Sequence, residues 1–237
     1  MPTGNENLVG AMQQGLRYCW DETIGYSQTT RLLNPNLDCS SFIWYCLYNN
    51  GFDVGQSAWY TGDMMQRLVN AGFTEYIWGV NVNTPQHGDI FVYHEVDPQT
   101  GNYNGHTFFY AENVYGYSDP TARTNTKAML QHARIEASSS RTHGYQYPDS
   151  GTIPGDVNNP DQDGDYPRNG VGAYWEVWVH ATSGSDPTSG SHTWHVFRWG
   201  GEPPGPIPPG PFPPGNIPAW LIKKIHDKNF TFRNTLD

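Results

Sequence analysis

The sequence predicts an α+β fold in which N-terminal helices pack on a central antiparallel β-sheet. Three helix-like segments occupy the first 72 residues, and strand-like segments that alternate apolar with polar residues follow them. Helices followed by a run of strands are typical of the α+β class. The chain has 237 residues, 36% hydrophobic and 14% aromatic, which is enough for one such domain and an appendage.

Turn and capping residues delimit the predicted helices. Apolar residues recur at near-helical spacing in the first helix, and a polar, irregular loop over 21–37 follows it. The second helix ends at Asn49-Asn50-Gly51. Thr61 can cap the third helix, and Gly72 ends it. The predicted helices cover residues 8–20, 39–49 and 61–71.

Strands are expected in the rest of the domain. The first two form a hairpin with a long loop, and regions rich in Gly, Pro, Asp and Ser separate the later ones. The predicted strands cover residues 90–93, 106–111, 133–137, 174–180 and 193–199, and the longest predicted loops cover 138–172 and 181–192.

The C-terminal region reads as an appendage to a domain over residues 1–199. Residues 200–218 are rich in Pro and Gly, which indicates an extended, fairly stiff linker. Residues 219–237 are too few to fold alone. They either dock on the main domain or begin a further module.

Composition excludes several function classes. A formal net charge of -10 argues against binding to nucleic acid and to anionic membranes. There is no apolar run long enough for a transmembrane helix, and the N-terminus lacks the features of a secretory signal, so we expect no membrane insertion. The three cysteines do not form a disulfide framework. A Cys19–Cys46 bridge is conceivable, but three free thiols are expected.

Cys39 is the candidate nucleophile. It stands at the predicted start of the second helix, after Asp38 and before Ser40 and Ser41. The unpaired N–H groups and partial positive charge of a helix N-terminus lower the pKa of a thiol, and the thiolate is the reactive form. The alternative interpretation is a small buried hydrophobic residue.

A thiol nucleophile needs a base, and the base needs an orienting group. His106 is the candidate base because it opens an aromatic strand and follows Gly105, which has no side chain. Glu136, in a short predicted strand, is the candidate orienting residue. The alternatives are a structural histidine and a solvated carboxylate. Weaker candidates for the base are His87, His94, His180 and His195.

Three motifs together resemble the NlpC-type papain-like cell-wall hydrolases. They are Leu37-Asp38-Cys39-Ser40-Ser41-Phe42, then Gly88-Asp89-Ile90-Phe91, then Gly105-His106-Thr107. The family has an Asp-Cys-Ser helix start, a Gly-Asp before a strand and a Gly-His that opens the next strand. The chain looks most like the phage amidase branch, the pneumococcal-phage Pal type, to which segments 58–65, 70–73 and 194–199 are also similar. The resemblance covers roughly residues 8–199.

The resemblance implies a papain-like fold with Cys39 as nucleophile and His106 as base. Its third polar position falls on Glu136, where the family often has His, Asn or Gln, so an acidic residue is a departure. Tyr26 matches a tyrosine that lines the family's active site, and Asp38 is expected to shape the pocket and hold a substrate amine. Ser40 and Trp59 complete the expected substrate-binding set, with core packing as the alternative for Trp59.

The implied activity is hydrolysis of an amide bond in bacterial peptidoglycan, without a cofactor. The enzyme would be an N-acetylmuramoyl-L-alanine amidase or a stem-peptide endopeptidase. Absence of a signal peptide fits an endolysin that is made in the host cytoplasm and released by a holin, or a lysin carried on the virion. The C-terminal tail could then join a cell-wall-binding module or a phage partner. The alternative is a non-catalytic wall-binding or tail structural module on the same fold.

An acidic loop is a candidate for structural Ca²⁺. Asp161, Asp163 and Asp165 alternate along a Gly-containing segment, as oxygen ligands do in calcium loops. The full twelve-residue calcium loop is not present, and a solvated acidic loop is the alternative. No zinc motif occurs in the sequence.

Overall fold

The computed structural model describes residues 4–19, 26–28, 31–33, 36–117, 127–138, 176–182, 185–188 and 190–200. The helices in this part of the chain are α1 (Gly4–Cys19), α2 (Cys39–Tyr48) and α3 (Thr61–Asn70). The strands are β1 (Phe73–Ile77), β2 (Ile90–Val96), β3 (Tyr103–Ala111), β4 (Val114–Tyr117), β5 (Lys127–Leu130), β6 (Ala133–Ser138), β7 (Glu176–Ala181) and β8 (His195–Trp199). Helices thus precede the sheet, as expected for an α+β protein.

All the described strands join one sheet in the order β1-β8-β2-β3-β6-β7-β4-β5. Its pairings are antiparallel except for the contact of β4 with β7, which is parallel. The predicted helices and strands are all present, with ends shifted by a few residues. Strands β1, β4 and β5 were not predicted; they are only four or five residues long.

The two faces of the sheet bury different side chains. Ile90, Val92, Phe109 and Ile135 share one core with the helices. Alternate residues of β2 and β3, together with residues at the start of β8, form a second, aromatic-rich cluster on the opposite face, as strand geometry requires. Its members are Phe91, Tyr93, Phe108, Tyr110, Trp194 and Val196.

The Gly88-Asp89 motif before β2 has a structural role. Gly88 has a φ of +93°, in the left-handed region that favours glycine. The buried Asp89 carboxylate accepts hydrogen bonds from Arg198 Nε at 2.9 Å and Nη2 at 2.7 Å. Burial raises the pKa of Asp89, against the opposing effect of Arg198. This bidentate pair fixes the start of β2 to β8.

Helix α3 positions the start of strand β3. We expected Thr61 to cap α3, but the N-cap is Tyr60, which makes no side-chain capping bond. The Thr61 hydroxyl instead lies 3.1 Å from His94 Nδ1, so it does not serve the helix N–H groups. Strand β3 passes so close that a Cβ at position 105 would collide with that hydroxyl. Only glycine fits there, immediately before His106.

Some predictions lie outside the described residues. They are the calcium site at Asp161, Asp163 and Asp165, most of the 138–172 loop, and almost all of the linker and tail over 200–237. The three cysteines are all described, and each is buried as a free thiol. No helix in the described part of the chain has both the length and the apolar character needed to cross a membrane.

Candidate active site

Helix α2 begins at Cys39 because the residues around it form a capping box. The Asp38 carboxylate accepts a hydrogen bond from the Ser41 N–H at 2.7 Å. The Ser41 hydroxyl in turn accepts one from the Asp38 N–H at 2.9 Å. Two otherwise unpaired backbone donors are satisfied in this way. The first helical residue, Cys39, is therefore held at a fixed position.

Arg31, which was not among the residues predicted for the site, anchors this helix start. Its Nε lies 2.5 Å from Asp38 Oδ2, and its Nη2 donates to Ser40 Oγ at 3.0 Å. Nη2 also donates to the carbonyl oxygen of Trp59. Its guanidinium covers the ring of the exposed Tyr60. A buried aspartate at a helix start indicates that a cation lies nearby, but no local pattern in the sequence identifies Arg31 as that cation.

The Cys39 thiol is buried at the edge of strand β3. Backbone N–H groups of Thr107 and Ser40 hydrogen-bond its sulfur and favour the thiolate, but burial and the Asp38 charge oppose them. Burial is the largest effect, and it raises the pKa of the Cys39 thiol to about 12. Our expectation that the helix N-terminus would lower this pKa is therefore wrong for this structure. At neutral pH the thiol holds its proton.

The Thr107 N–H can reach the thiol because β3 and β6 are not paired at Thr107. The Tyr110 N–H donates to the Asp89 carbonyl, and the Tyr110 carbonyl accepts from the Gly88 N–H, so the backbone groups of Tyr110 face the β2 side. Because these groups alternate in direction along a strand, the N–H of Thr107, three residues earlier, points toward β6. The paired residues of β3 with β6 begin only at Phe109. The gap before Phe109 is where Cys39 lies.

His106 and Glu136 are in direct contact beside that gap. His106 Nε2 lies 2.8 Å from Glu136 Oε2. The carboxylate is almost fully buried, with 1% of its side chain exposed, whereas the imidazole is 16% exposed. Glu136 is also close enough to Cys39 to act on the pKa of the thiol. The structure thus gathers the three predicted catalytic side chains at one place in the fold.

The predicted substrate-binding residues are buried or half-buried and make contacts within the fold. Asp38 and Ser40 are buried in the Arg31 network. Trp59 is 1% exposed, and its indole N–H donates to the Val54 carbonyl, so it packs in the core. Tyr26 is half-buried and packs against the helix-side core. The position of Trp59 agrees with its alternative interpretation as a core residue.

The weaker histidine candidates lie elsewhere. His94 contacts Thr61, His87 accepts the Glu112 N–H, and His195 lies 2.6 Å from Glu75. The side chain of His180 is outside the described residues. Of the described histidine side chains considered as a base, His106 is the one that contacts Glu136, whose charge acts on the pKa of the Cys39 thiol.

Comparison with known proteins identifies the family. Searches of curated proteins and of solved structures gave no significant match. The family profile described as bacteriophage peptidoglycan hydrolase matches residues 19–152, more than half of the chain. The matched segment contains Cys39, His106 and Glu136. The chain therefore belongs to the bacteriophage peptidoglycan hydrolase family, whose members are enzymes that act on the bacterial cell wall.

Proposed function

We propose that this phage hydrolase is a cysteine amidohydrolase of the NlpC and Pal type, with Cys39 as nucleophile, His106 as base and Glu136 as its orienting residue. Family membership supports cell-wall hydrolysis. The observation that carries the cysteine mechanism is the placement of the Cys39 sulfur against the Thr107 N–H, next to a His106–Glu136 pair. A helix that starts at the cysteine and packs on a mainly antiparallel sheet supports a papain-like fold.

The assignment of roles follows from the two ring nitrogens of His106. Nε2 lies 2.8 Å from Glu136 Oε2, and in the tautomer that we assign its N–H donates a hydrogen bond to that oxygen. Nδ1 then carries the lone pair and is the atom that can accept a proton. An ionised carboxylate thereby selects the tautomer that the reaction needs.

In the first step His106 Nδ1 removes the thiol proton as the Cys39 sulfur attacks the carbonyl carbon of the scissile amide. The carbon–sulfur bond forms, and the carbonyl π electrons move to oxygen. Because burial keeps the resting thiol neutral, proton removal belongs to this step rather than preceding it. We assign the N–H groups of Ser40 and Thr107, which hydrogen-bond the resting sulfur, to stabilise the developing charge.

In the second step the carbon–nitrogen bond breaks, and the His106 imidazolium protonates the leaving amine. A thioester remains on Cys39. His106 then takes a proton from water, and the hydroxide attacks the thioester carbonyl. The carbon–sulfur bond breaks to release a carboxylic acid, and the His106 imidazolium returns its proton to the Cys39 sulfur. These steps use only the chain's own groups and water.

Two classes of amide in peptidoglycan suit this chemistry: the muramoyl–L-alanine bond and the peptide bonds of the stem or cross-bridge. They leave different acyl groups on the enzyme. We propose action from inside the host after holin release or from the virion, with the 219–237 tail as a contact for a wall-binding or phage partner.

Mass spectrometry of an acid-quenched reaction tests the mechanism and identifies the bond. Wild-type protein mixed with purified Gram-positive cell walls should show an acyl adduct on the peptide that contains Cys39. A muramoyl adduct indicates an amidase, and a peptidyl adduct indicates an endopeptidase. An adduct on another residue, or cleavage that continues after Cys39 is alkylated, would contradict the proposal. A non-catalytic module would bind walls and leave their products unchanged.

A further inference from the structure

We propose that Arg134 is a positioning residue for this reaction: it keeps the Glu136 carboxylate ionised and aligned with His106. The inference rests on the proposed roles of His106 and Glu136. Arg134 would be a fourth functional side chain beside the three proposed catalytic residues. Neither the sequence motifs nor the family match assigned it a role.

The geometry places one carboxylate oxygen between two cationic or potentially cationic groups. Arg134 Nη1 lies 3.8 Å from Glu136 Oε2, the same oxygen that contacts His106 Nε2 at 2.8 Å. Arg134 and Glu136 are two residues apart on β6 and therefore on the same face of the sheet. Both are buried, with side chains 6% and 1% exposed.

Arg134 is itself fixed by contacts with three other parts of the chain. Its Nε donates to the Pro187 carbonyl oxygen at 2.5 Å. Its guanidinium carbon lies 4.3 Å from the centre of the Phe108 ring and 5.9 Å from that of Trp194. A planar guanidinium held by a hydrogen bond and by aromatic faces has little freedom to move. It can therefore hold the carboxylate in place.

The buried Glu136 carboxylate needs a compensating positive charge at every stage of the catalytic cycle. A fully buried carboxylate is costly without a compensating charge. In the proposed mechanism His106 gains a charge when it takes the thiol proton and loses it when it protonates the leaving amine, so the charge that it supplies is transient. The guanidinium is always protonated and supplies it throughout.

Without Arg134 the tautomer of His106 would change. Loss of the Arg134 charge favours the protonated form of the buried Glu136 carboxylate. Its O–H then donates to Nε2, which must accept, and the ring proton moves to Nδ1. Nδ1 is the atom that has to accept the thiol proton, so this tautomer cannot act as the base. The expected defect is in the chemical step, not in substrate binding.

Kinetics of four variants on a soluble muropeptide substrate test the inference. Arg134→Met should lower kcat by about tenfold or more with little change in KM. Arg134→Lys should recover most of the loss because it restores the charge. The double variant Arg134→Met/Glu136→Gln should match Glu136→Gln alone within about threefold, since residues that act through one another are not additive.

Arg198→Met is the matched control. It removes a different arginine–carboxylate pair on the same sheet, that of the partly buried Arg198 with the buried Asp89. It should lower the thermal midpoint while the folded protein keeps the wild-type kcat. Should Arg134→Met fail to fold, Arg134→Gln, a neutral side chain that can still donate to the Pro187 carbonyl, takes its place in the same comparisons.

Two results would overturn the inference: a wild-type kcat in Arg134→Met, or a double variant whose loss is the full product of the two single losses. These outcomes are separable from failure of the proposed function. If Cys39→Ala abolishes cleavage while Arg134→Met does not reduce it, the cysteine mechanism stands and the role of Arg134 does not.

Discussion

His106 Nε2 and Glu136 Oε2 lie 2.8 Å apart, although thirty residues separate them along the chain. Strands β4 and β5 intervene in sequence, but β3 and β6 are neighbours in the sheet. Extending the register of Phe109 with Ile135 along the two strands brings position 106 toward the end of β6, on the face that carries Glu136. The sheet order is thus what brings the base and its orienting residue together.

Substitution of Glu136 should reduce turnover. Glu136→Gln keeps a hydrogen-bond acceptor and loses the charge, so we expect kcat to fall by about tenfold to a thousandfold with little change in KM. Glu136→Ala should cost more because the acceptor is lost as well. Steady-state kinetics on a soluble muropeptide measure both. Wild-type rates in both variants would remove Glu136 from the site.

The reactivity of Cys39 should report a neutral resting thiol. Because burial raises its pKa to about 12, its alkylation by iodoacetamide should accelerate continuously as the pH rises from 6 to 9. Peptide mapping by mass spectrometry separates Cys39 from Cys19 and Cys46. A rate that is already constant below pH 7 would instead indicate a preformed thiolate–imidazolium pair and contradict the order of proton transfer proposed above.

His87 should make the fold sensitive to acid. Its Nδ1 accepts the Glu112 N–H at 2.8 Å, and burial lowers its pKa from 6.5 to about 4. Between these values the unfolded chain binds more protons than the folded one. The free energy of unfolding should therefore fall as the pH drops from 6.5 to 4, by on the order of 2 kcal/mol.

His87→Asn tests this prediction, since Asn Oδ1 can replace Nδ1 as acceptor without titrating in that range. Urea unfolding at several pH values should show a shallower loss of stability than in the wild type. His195→Asn, which alters a partly exposed pair with Glu75, should leave the slope nearly unchanged. Equal slopes in His87→Asn and wild type would show that other groups govern acid unfolding.

Arg31 should contribute strongly to stability. Arg31→Met leaves the buried Asp38 carboxylate without its cation, and we expect the free energy of unfolding to fall by about 3 kcal/mol. Arg31→Met/Asp38→Asn should recover part of the loss because no buried charge remains. Urea unfolding measures both variants. A change below about 1 kcal/mol in Arg31→Met would mean that the pair behaves like a surface ion pair.

Local patterns explain which parts of the site could be predicted from sequence. The start of α2 depends on a cap within four residues, and Gly105 before His106 marks a close approach of two backbones. Arg31 and Arg134 could not be predicted, because each finds its carboxylate only after tertiary folding or sheet pairing. The prediction of a lowered thiol pKa was wrong for a related reason. The helix N-terminus can be recognised in the sequence, whereas the burial that outweighs its effect depends on the whole fold.

The comparison of Cys39→Ala with Cys46→Ala tests the central claim most directly. Both thiols are buried in α2, and only Cys39 lies at its start. Cys46→Ala should lose on the order of 1 kcal/mol of stability through a small cavity and should keep its activity.

The measurement is the rate at which each purified variant releases free amino groups from Gram-positive cell walls, with circular dichroism to confirm folding. The account predicts no release by folded Cys39→Ala and a near wild-type rate for Cys46→Ala. Release by Cys39→Ala at the wild-type rate would contradict it.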